Sequence, residues 1–244
     1  MTTPTSPDSA HTADSSLTAR AVSLSSDAAN AFLAVKPKLR GWIHAVTAPL
    51  ALAACIVLVV LAPGIPLKIA SLIYLFCSLA LFANSGVYHI GNGHWPAKVA
   101  ATLRSIDHAN IFLLIAGTYT PLSVGLLDAG TARLVLTIVW VGALVGTLAR
   151  VLWMNAPRWL YTPLYVILGW VAVWFLPEFW HNGGPAVVWL IISGGIIYTL
   201  GALVYAAKRP DPSPKFFGFH EIFHTCTVAA WICHCVACYL AVLG

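Results

Sequence analysis

Charged residues are scarce in this sequence: Asp, Glu, Lys and Arg make up 9% of its 244 residues, against roughly a quarter in ordinary soluble domains. This scarcity excludes a water-soluble fold, because too few polar side chains remain to cover a solvated surface. Hydrophobic residues make up 59% of the chain, and its mean hydropathy is +0.84. The composition therefore predicts a polytopic membrane protein.

Concentrated positive charge is also missing. The 13 Lys and Arg residues outnumber the 8 Asp and Glu residues, which gives a net charge of +5 and an isoelectric point near 9.0. No basic cluster interleaved with aromatic residues accompanies this excess, so we expect no nucleic-acid partner. Membrane topology explains the basic residues better.

The first 38 residues lack the features of a signal peptide. They are rich in Ser, Thr, Ala and Asp, and they contain neither a basic start nor an apolar stretch. We interpret residues 1–38 as a disordered cytoplasmic tail and residues 39–244 as one transmembrane domain.

Apolar runs of about 16 to 25 residues follow this tail, and each is long enough to form a spanning helix. Short loops that hold most of the charge separate them. The sequence thus predicts an all-α fold with seven transmembrane helices, at residues 42–62, 68–91, 105–127, 134–152, 159–176, 186–207 and 216–243.

The distribution of Lys and Arg predicts the orientation, because cytoplasmic loops collect basic residues. With the N-terminus inside, eleven of the thirteen basic residues lie on the cytoplasmic side, and only Lys68 and Arg133 lie on the other. We therefore expect a multi-pass protein of the cell membrane with a cytoplasmic N-terminus and an outside C-terminus.

A few ionisable residues lie inside the predicted spans, where such groups are costly and usually functional. Asp107 and Glu221 are the only acidic ones. His89 lies near the end of the second helix, and His220 and His224 lie near the start of the seventh. The predicted topology puts all five at the cytoplasmic side, so we expect one shared site.

The spacing of the histidines predicts a metal centre. His220 and His224 are four residues apart, as are Ser85 and His89, so each pair faces one way on its helix. Three neutral imidazoles with a water in the fourth position form the open site of a catalytic zinc. Asp107 would hold that water or take its proton, and Ser85 would bind the water or a substrate oxygen. Iron, nickel or copper also accept imidazoles, but we predict zinc.

Two other interpretations of these residues remain open. The histidines could simply form hydrogen bonds between helices. The run from His220 to His224 also fits the H-E-x-x-H motif of metalloproteases, in which Glu221 would be the general base. No acidic residue follows Glu221 to complete such a site, and a carboxylate in the first turn of a helix is also favoured by the helix dipole.

The remaining histidines and the cysteines are expected to lie outside the metal site. We expect His44 to be an interfacial group near the cytoplasmic end of the first helix, with a second role as a neighbour of the site less favoured. His108 faces about 100° away from Asp107, and His234 lies about 15 Å along the helix from His224. The cysteines from Cys226 to Cys238 are interpreted as small apolar residues rather than as a second metal site.

Three stretches of the sequence carry a resemblance to a known family. They are Ser85-Gly-Val-Tyr-His89, His220-Glu-Ile-Phe-His224 and the run from Ile106-Asp-His-Ala-Asn-Ile-Phe to Ala-Gly-Thr-Tyr-Thr-Pro121. They resemble the bacterial hemolysin III family, which belongs with the progestin and adipoQ receptors. The resemblance implies a seven-helix membrane fold, a zinc ion held by His89, His220 and His224, and an acid at Asp107 that contacts the zinc water.

The resemblance also implies two classes of function. Receptor relatives and alkaline ceramidases are associated with hydrolysis of lipid amides, which favours a zinc-dependent lipid amide or ester hydrolase, or a membrane-state sensor that keeps the same site. The alternative is a non-enzymatic channel or cytolytic protein in which zinc is structural. Membrane lipids are the expected partners, and a lipid is the expected substrate. A water-filled cavity that reaches the ion would favour the enzyme, and a closed four-ligand site would favour the structural role.

Overall fold

The structure is a computed structural model that describes residues 39, 41–153, 157–213 and 216–244. Helices account for nearly all of these residues, and the only β-type pairing among them is an isolated bridge between Ser213 and Phe217. The predicted all-α class is therefore confirmed. The predicted tail at residues 1–38 lies outside the described residues.

Long helices follow one another with short connections. In chain order they are α1 (Trp42–Leu61), α2 (Gly64–Ile90), α3 (Ala97–Leu126), α4 (Ala129–Leu152), α5 (Arg158–Gly169), a 3₁₀ helix (Trp170–Phe175), α6 (Leu176–Ala207) and α7 (Phe219–Leu243). Four of them begin at least four residues earlier than predicted, namely α2, α3, α4 and α6. Helix α3 starts after Pro96, and helix α4 starts after Asp128, whose carboxylate accepts hydrogen bonds from the N–H groups of Gly130 and Thr131.

By length and hydropathy, six segments of the described residues could cross a membrane, rather than the seven predicted. The difference arises after α4, where α5, the 3₁₀ helix and α6 form one apolar segment of 48 residues, Leu160–Ala207. Residues 177–185, which separate the two predicted spans, are helical in the structure, so helix length and hydropathy alone do not divide the segment.

The geometry of this segment shows that its two halves lie side by side. A straight helix of that length would extend about 70 Å, more than twice the hydrocarbon thickness of about 30 Å. Instead, the indole N–H of Trp170 donates a hydrogen bond to the hydroxyl of Thr199 at 2.9 Å, across 29 residues. Gly184, with φ of 75° and ψ of 178°, interrupts the helical backbone between them. The chain therefore reverses direction within the segment.

Helix α3 is the central helix of the bundle. In its most apolar stretch 72% of the residues are buried, whereas the value for α1 and for α4 is 28%. The outer helices expose large apolar side chains such as Leu50, Leu148 and Leu203, as expected for surfaces in contact with lipid. The bundle places the end of α2, the early turns of α3 and the start of α7 at the same end.

Candidate metal centre

Three histidines converge where the end of α2 meets the start of α7. His89 lies in the last turn of α2, and His220 and His224 lie one turn apart at the start of α7. The ring centroids are 4.8 Å apart for His89 and His220, 5.0 Å for His89 and His224, and 4.6 Å for His220 and His224. One ligand nitrogen from each ring lies within 4.8 Å of the other two. The nearly equal separations give the cluster the shape that a single ion requires.

The closest pair of nitrogens already matches the geometry of a tetrahedral ion. The Nε2 atoms of His89 and His220 are 3.3 Å apart. Two nitrogens bound at about 2.05 Å to a tetrahedral zinc lie about 3.3 Å from each other. A ligand nitrogen of His224 lies within 4.8 Å of both, so the residues present fit such an ion.

Asp107 lies beside this cluster. Its carboxylate oxygen is 3.5 Å from the Nε2 atom of His89, which is the same nitrogen that faces His220. A carboxylate that only oriented the ring would be expected at the opposite nitrogen, Nδ1. Asp107 therefore approaches the ion side of His89, although it is not among the three residues whose ligand atoms group together.

Two amide side chains fix α3 against α2 on either side of Asp107. Asn84 donates a hydrogen bond to the carbonyl oxygen of Leu103 at 3.2 Å, and Asn110 donates one to the carbonyl oxygen of Ala80 at 2.6 Å. Because these bonds lie one turn before and one turn after Asp107, they set its depth relative to His89.

Ser85 supports the carboxylate. Its side chain is buried, with 1% of its surface exposed, and it forms a hydrogen bond with Asp107. We expected Ser85 to bind the water or a substrate oxygen directly. The structure adds a contact that the spacing alone did not predict, in which the hydroxyl orients the acid.

A fourth imidazole, His44 of α1, lies against the cluster. Its ring stacks on His224 with centroids 3.9 Å apart and planes 11° apart, and it meets the edge of Phe82 at 5.2 Å. Only 2% of its surface is exposed. This burial differs from the interfacial position that we expected, because α1 packs its start directly against the end of α2 rather than leaving it at the membrane surface.

Two glycines permit this close packing. A Cβ atom on Gly41 would lie 2.8 Å from the Cβ atom of His89, and Gly41 has a positive φ of 90° that favours glycine. A Cβ atom on Gly86 would lie 3.0 Å from the Cα atom of Ala45. The backbone of α1 thereby reaches the turn of α2 that carries His89.

Glu221 is fully buried and caps its own helix. Its carboxylate accepts a hydrogen bond at 2.8 Å from the backbone N–H of Gly218, three residues earlier. This contact agrees with the role at the helix start that the sequence favoured. The protease interpretation needs Glu221 as a base, and the capping contact gives the carboxylate a structural role instead.

The other candidates lie apart from the cluster, as expected. The two ring nitrogens of His108 contact the carbonyl oxygen of Arg104 at 2.7 Å and the hydroxyl of Tyr205 at 3.4 Å. The Nε2 atom of His234 contacts the carbonyl oxygen of Ile191 at 3.2 Å. Across the described ranges, the three histidines are the only group of His, Cys, Asp or Glu residues with the spacing of a metal site, so the cysteines of α7 form no second one.

A cavity of about 90 Å³ lies within the bundle next to this centre. Side chains of α3, α5, α6 and α7 line most of it, and apolar residues such as Ile111 and Leu114 predominate. Phe223 borders both regions, because it lines the cavity and its ring lies 6.4 Å from that of His220.

Comparison with known proteins identifies the family. The family model described as Haemolysin-III related matches residues 32–235. The chain belongs to the haemolysin III-related family. As a member of this family with several apolar helices, it is a multi-pass membrane protein.

Two curated relatives are similar to it. Over 112 residues the chain is 33% identical to the hemolysin-3 homolog of Bacillus subtilis (strain 168), an alignment that covers 46% of this chain and 53% of that protein. Over 169 residues it is 28% identical to hemolysin-3 of Bacillus cereus, which covers 68% of this chain and 76% of that protein. The first alignment thus spans about half the length of the relative.

The sequence predicted the three histidines and the neighbouring acid, and the structure brings these four residues together. The sequence did not predict that His44 contacts the cluster. Its signal was a histidine near the start of α1, at the membrane depth of the other site residues, but a single histidine without a spaced partner does not indicate which way its ring faces.

Proposed function

We propose that this haemolysin III-related protein is a zinc-dependent membrane hydrolase that cleaves an amide or ester bond of a lipid. The observation that carries the proposal is the convergence of three imidazoles with a carboxylate on their ion side. An all-nitrogen set with one position left for water is the usual arrangement of catalytic zinc. The family name does not specify this activity, which rests on the site.

His89, His220 and His224 would hold the ion. Neutral imidazole is the ligand type that zinc shares with iron, nickel and copper, and the 3.3 Å separation of two nitrogens suits a tetrahedral ion. A bound zinc ion would polarise the carbonyl group of the substrate and lower the pKa of a bound water to about 7.

Asp107 is proposed as the general base. Its carboxylate oxygen lies on the ion side of His89, where it can accept the proton of the attacking water and later return it to the leaving group. Ser85 would hold the carboxylate in this position through their hydrogen bond. The hydroxyl is also near enough to the acid to assist in positioning the water or a substrate oxygen.

The substrate would enter from the membrane. The apolar lining of the cavity beside the centre suits part of a lipid chain, and Phe223 lies where that chain would meet the histidines. A reactive carbonyl held at the ion, with its chain in the cavity, would keep the rest of the lipid away from water.

We also propose that the chain crosses the membrane seven times, with the N-terminus in the cytoplasm and the C-terminus outside. The reversal within Leu160–Ala207, marked by the Trp170 to Thr199 hydrogen bond, supports two crossings in that segment. The excess of Lys and Arg on one side supports the orientation. The metal centre would then lie near the cytoplasmic leaflet.

A structural zinc in a non-enzymatic membrane protein is the second candidate. One observation favours it: the three histidines come from α2 and α7, so an ion would join helices that are far apart in the sequence. In that case removal of the ion would weaken the fold without abolishing a reaction.

Product formation tests the proposal. Purified protein in lipid nanodiscs is incubated with a panel of ceramides and acyl amides, and released fatty acid is measured by mass spectrometry. We expect zinc-dependent release that Asp107→Asn lowers by about a hundredfold to ten-thousandfold.

Asp128→Asn is the matched control, since it makes the same chemical change at an exposed helix cap and is expected to retain activity. Equal turnover in Asp107→Asn and in the native protein would remove Asp107 as the base. Absence of turnover across the panel, together with a fall in thermal stability on chelation, would favour the structural role.

A further inference from the structure

His44 presents a buried polar group that the packing of α1 does not explain. Neither ring nitrogen makes a hydrogen bond within the described part of the chain, although the ring lies near the backbone of His224. The exposed fraction of the residue is 2%. A buried polar atom without a partner is unfavourable, so a native structure that contains one commonly uses it for catalysis or for binding a ligand.

A neutral imidazole always carries one N–H donor, whichever nitrogen holds the proton. A phenylalanine would fill the same space and stack in the same way without leaving a donor unpaired. Packing against His224 and Phe82 therefore accounts for a flat ring at position 44 but not for its nitrogens.

The neighbours of the ring show which groups lie within its reach. Parallel stacking at 3.9 Å places the edge of His44 beside the edge of His224, one of the three candidate ligands. His44 thus lies directly against the histidine cluster, from the side of α1.

His44 and Asp107 lie next to different histidines of the cluster. Asp107 approaches the cluster through His89, whereas His44 approaches it through His224. Hydrolysis of a carbonyl compound involves two oxygen atoms at such a centre, the water that attacks and the carbonyl oxygen that becomes negative. A base can take a proton from the attacking water, and an N–H donor can form a hydrogen bond with the carbonyl oxygen.

We propose that His44 donates a hydrogen bond to the carbonyl oxygen of the bound substrate and stabilises the negative charge that develops there. Nothing in the spacing of the sequence assigned this role to α1. The inference rests on the metal centre proposed above, and its test is independent of turnover.

Acetohydroxamate is a suitable probe, because it presents a carbonyl oxygen and a second oxygen to a metal ion. The full-length protein is loaded with Co²⁺ in detergent, and the visible absorption of the ion reports both Co²⁺ affinity and hydroxamate binding. In His44→Phe we expect hydroxamate affinity to fall about tenfold, as for one lost hydrogen bond, while Co²⁺ affinity changes by less than about threefold. His44→Gln, which restores a donor, should recover part of the loss.

His234→Phe is the matched control, since it replaces another buried histidine of the bundle, well along α7 from the centre, and should alter neither affinity. Unchanged hydroxamate affinity in His44→Phe would overturn the proposal. So would a loss of Co²⁺ affinity as large as that of His224→Ala, because His44 would then hold the ion or its ligand. If His44→Phe does not fold, as judged by gel filtration, His44→Leu takes its place: a hydroxamate affinity lowered about tenfold supports the proposal, and an unchanged one overturns it.

The outcomes also separate this inference from the proposed activity. If no lipid amide is hydrolysed but His44→Phe weakens hydroxamate binding, the role of His44 stands and the substrate class is wrong. If the native protein binds no Co²⁺, the metal centre is wrong and the inference is overturned with it.

Discussion

Two histidines of helix α7 lie in different regions of the molecule and have different roles. His224 lies in the histidine cluster at one end of the bundle, and His234 lies further along the helix, beside the cavity. His224, in the second turn, lies 4.6 Å and 5.0 Å from two other imidazole rings, next to an acid. His234, ten residues further along, contacts the backbone carbonyl oxygen of Ile191 and the ring of Tyr198. The first lies in a cluster that could hold an ion, and the second stabilises the packing of two helices.

The polar groups around each histidine explain the difference. Near the cavity, hydroxyls bond to their own helix or to an adjacent one: Thr118 donates to Leu114, and the hydroxyl of Tyr119 donates to Gly169. Near His224, the nitrogens of His44 and the Nδ1 atom of His89 have no hydrogen-bond partner within the described ranges. Polar groups that are paired internally stabilise a fold, whereas unpaired ones gathered in one place favour binding of a ligand.

The largest expected effect is loss of the metal. In His224→Ala or His89→Ala, one of three ligands disappears, so zinc affinity should fall by more than the 10-fold to 100-fold typical of residues outside the ligand set. His234→Ala is expected to retain about one equivalent of zinc. Elemental analysis of the purified variants measures this contrast, and undiminished zinc in both His224→Ala and His89→Ala would show that the three histidines do not form the site.

A smaller effect is expected when a side chain is added to a glycine that packs closely against His89 or against His234. Gly41→Val adds a β-branched side chain at a positive φ, 2.8 Å from the Cβ atom of His89, and should cost about 2 kcal/mol or more while also weakening zinc binding. Gly194→Ala places its Cβ against the ring of His234 and should lower stability by about 1 to 3 kcal/mol without affecting zinc.

Thermal unfolding followed by gel filtration, with zinc analysis of the same samples, distinguishes these two variants. Zinc affinity that falls equally in both would show that the surroundings of His224 and of His234 are coupled rather than independent.

The smallest expected effect concerns a carboxylate outside the membrane. Hydrogen bonds from the side chain of Thr131 and from the backbone N–H groups of Thr131 and Gly130 hold the pKa of Asp128 below its ordinary value of 3.8. Because the pKa is lowered in the folded state, the stabilising contribution is present above the ordinary pKa and is lost as the pH falls through the lowered one.

Asp128→Ala should therefore lower the melting temperature by a few degrees at most at neutral pH, and the difference should shrink in acid below the lowered pKa of Asp128. Melting curves of the two proteins across that range test this expectation. A difference that grows as the pH falls would contradict it.

Much of the fold could be predicted from composition and hydropathy. The apolar runs gave the helical class and most helix ends to within a few residues, and the family resemblance is confirmed by the match over residues 32–235. The sequence predicted two spans within Leu160–Ala207; the reversal around Gly184 supports that division, but helix length and hydropathy leave one segment there, so the count of seven stays a prediction. The roles of Asp107 and Ser85 in a reaction stay predictions.

The sequence by itself determined that His220 and His224 share a face of α7, since a helix returns to the same direction after about four residues. It also determined that Glu221 could cap that helix, because the capping contact is local. Only the tertiary structure decided that His89 meets His220 at 3.3 Å and that His44 stacks on His224. Those contacts depend on the distance and rotation between separate helices, which are set by the packing of many side chains and by close approaches such as that at Gly41.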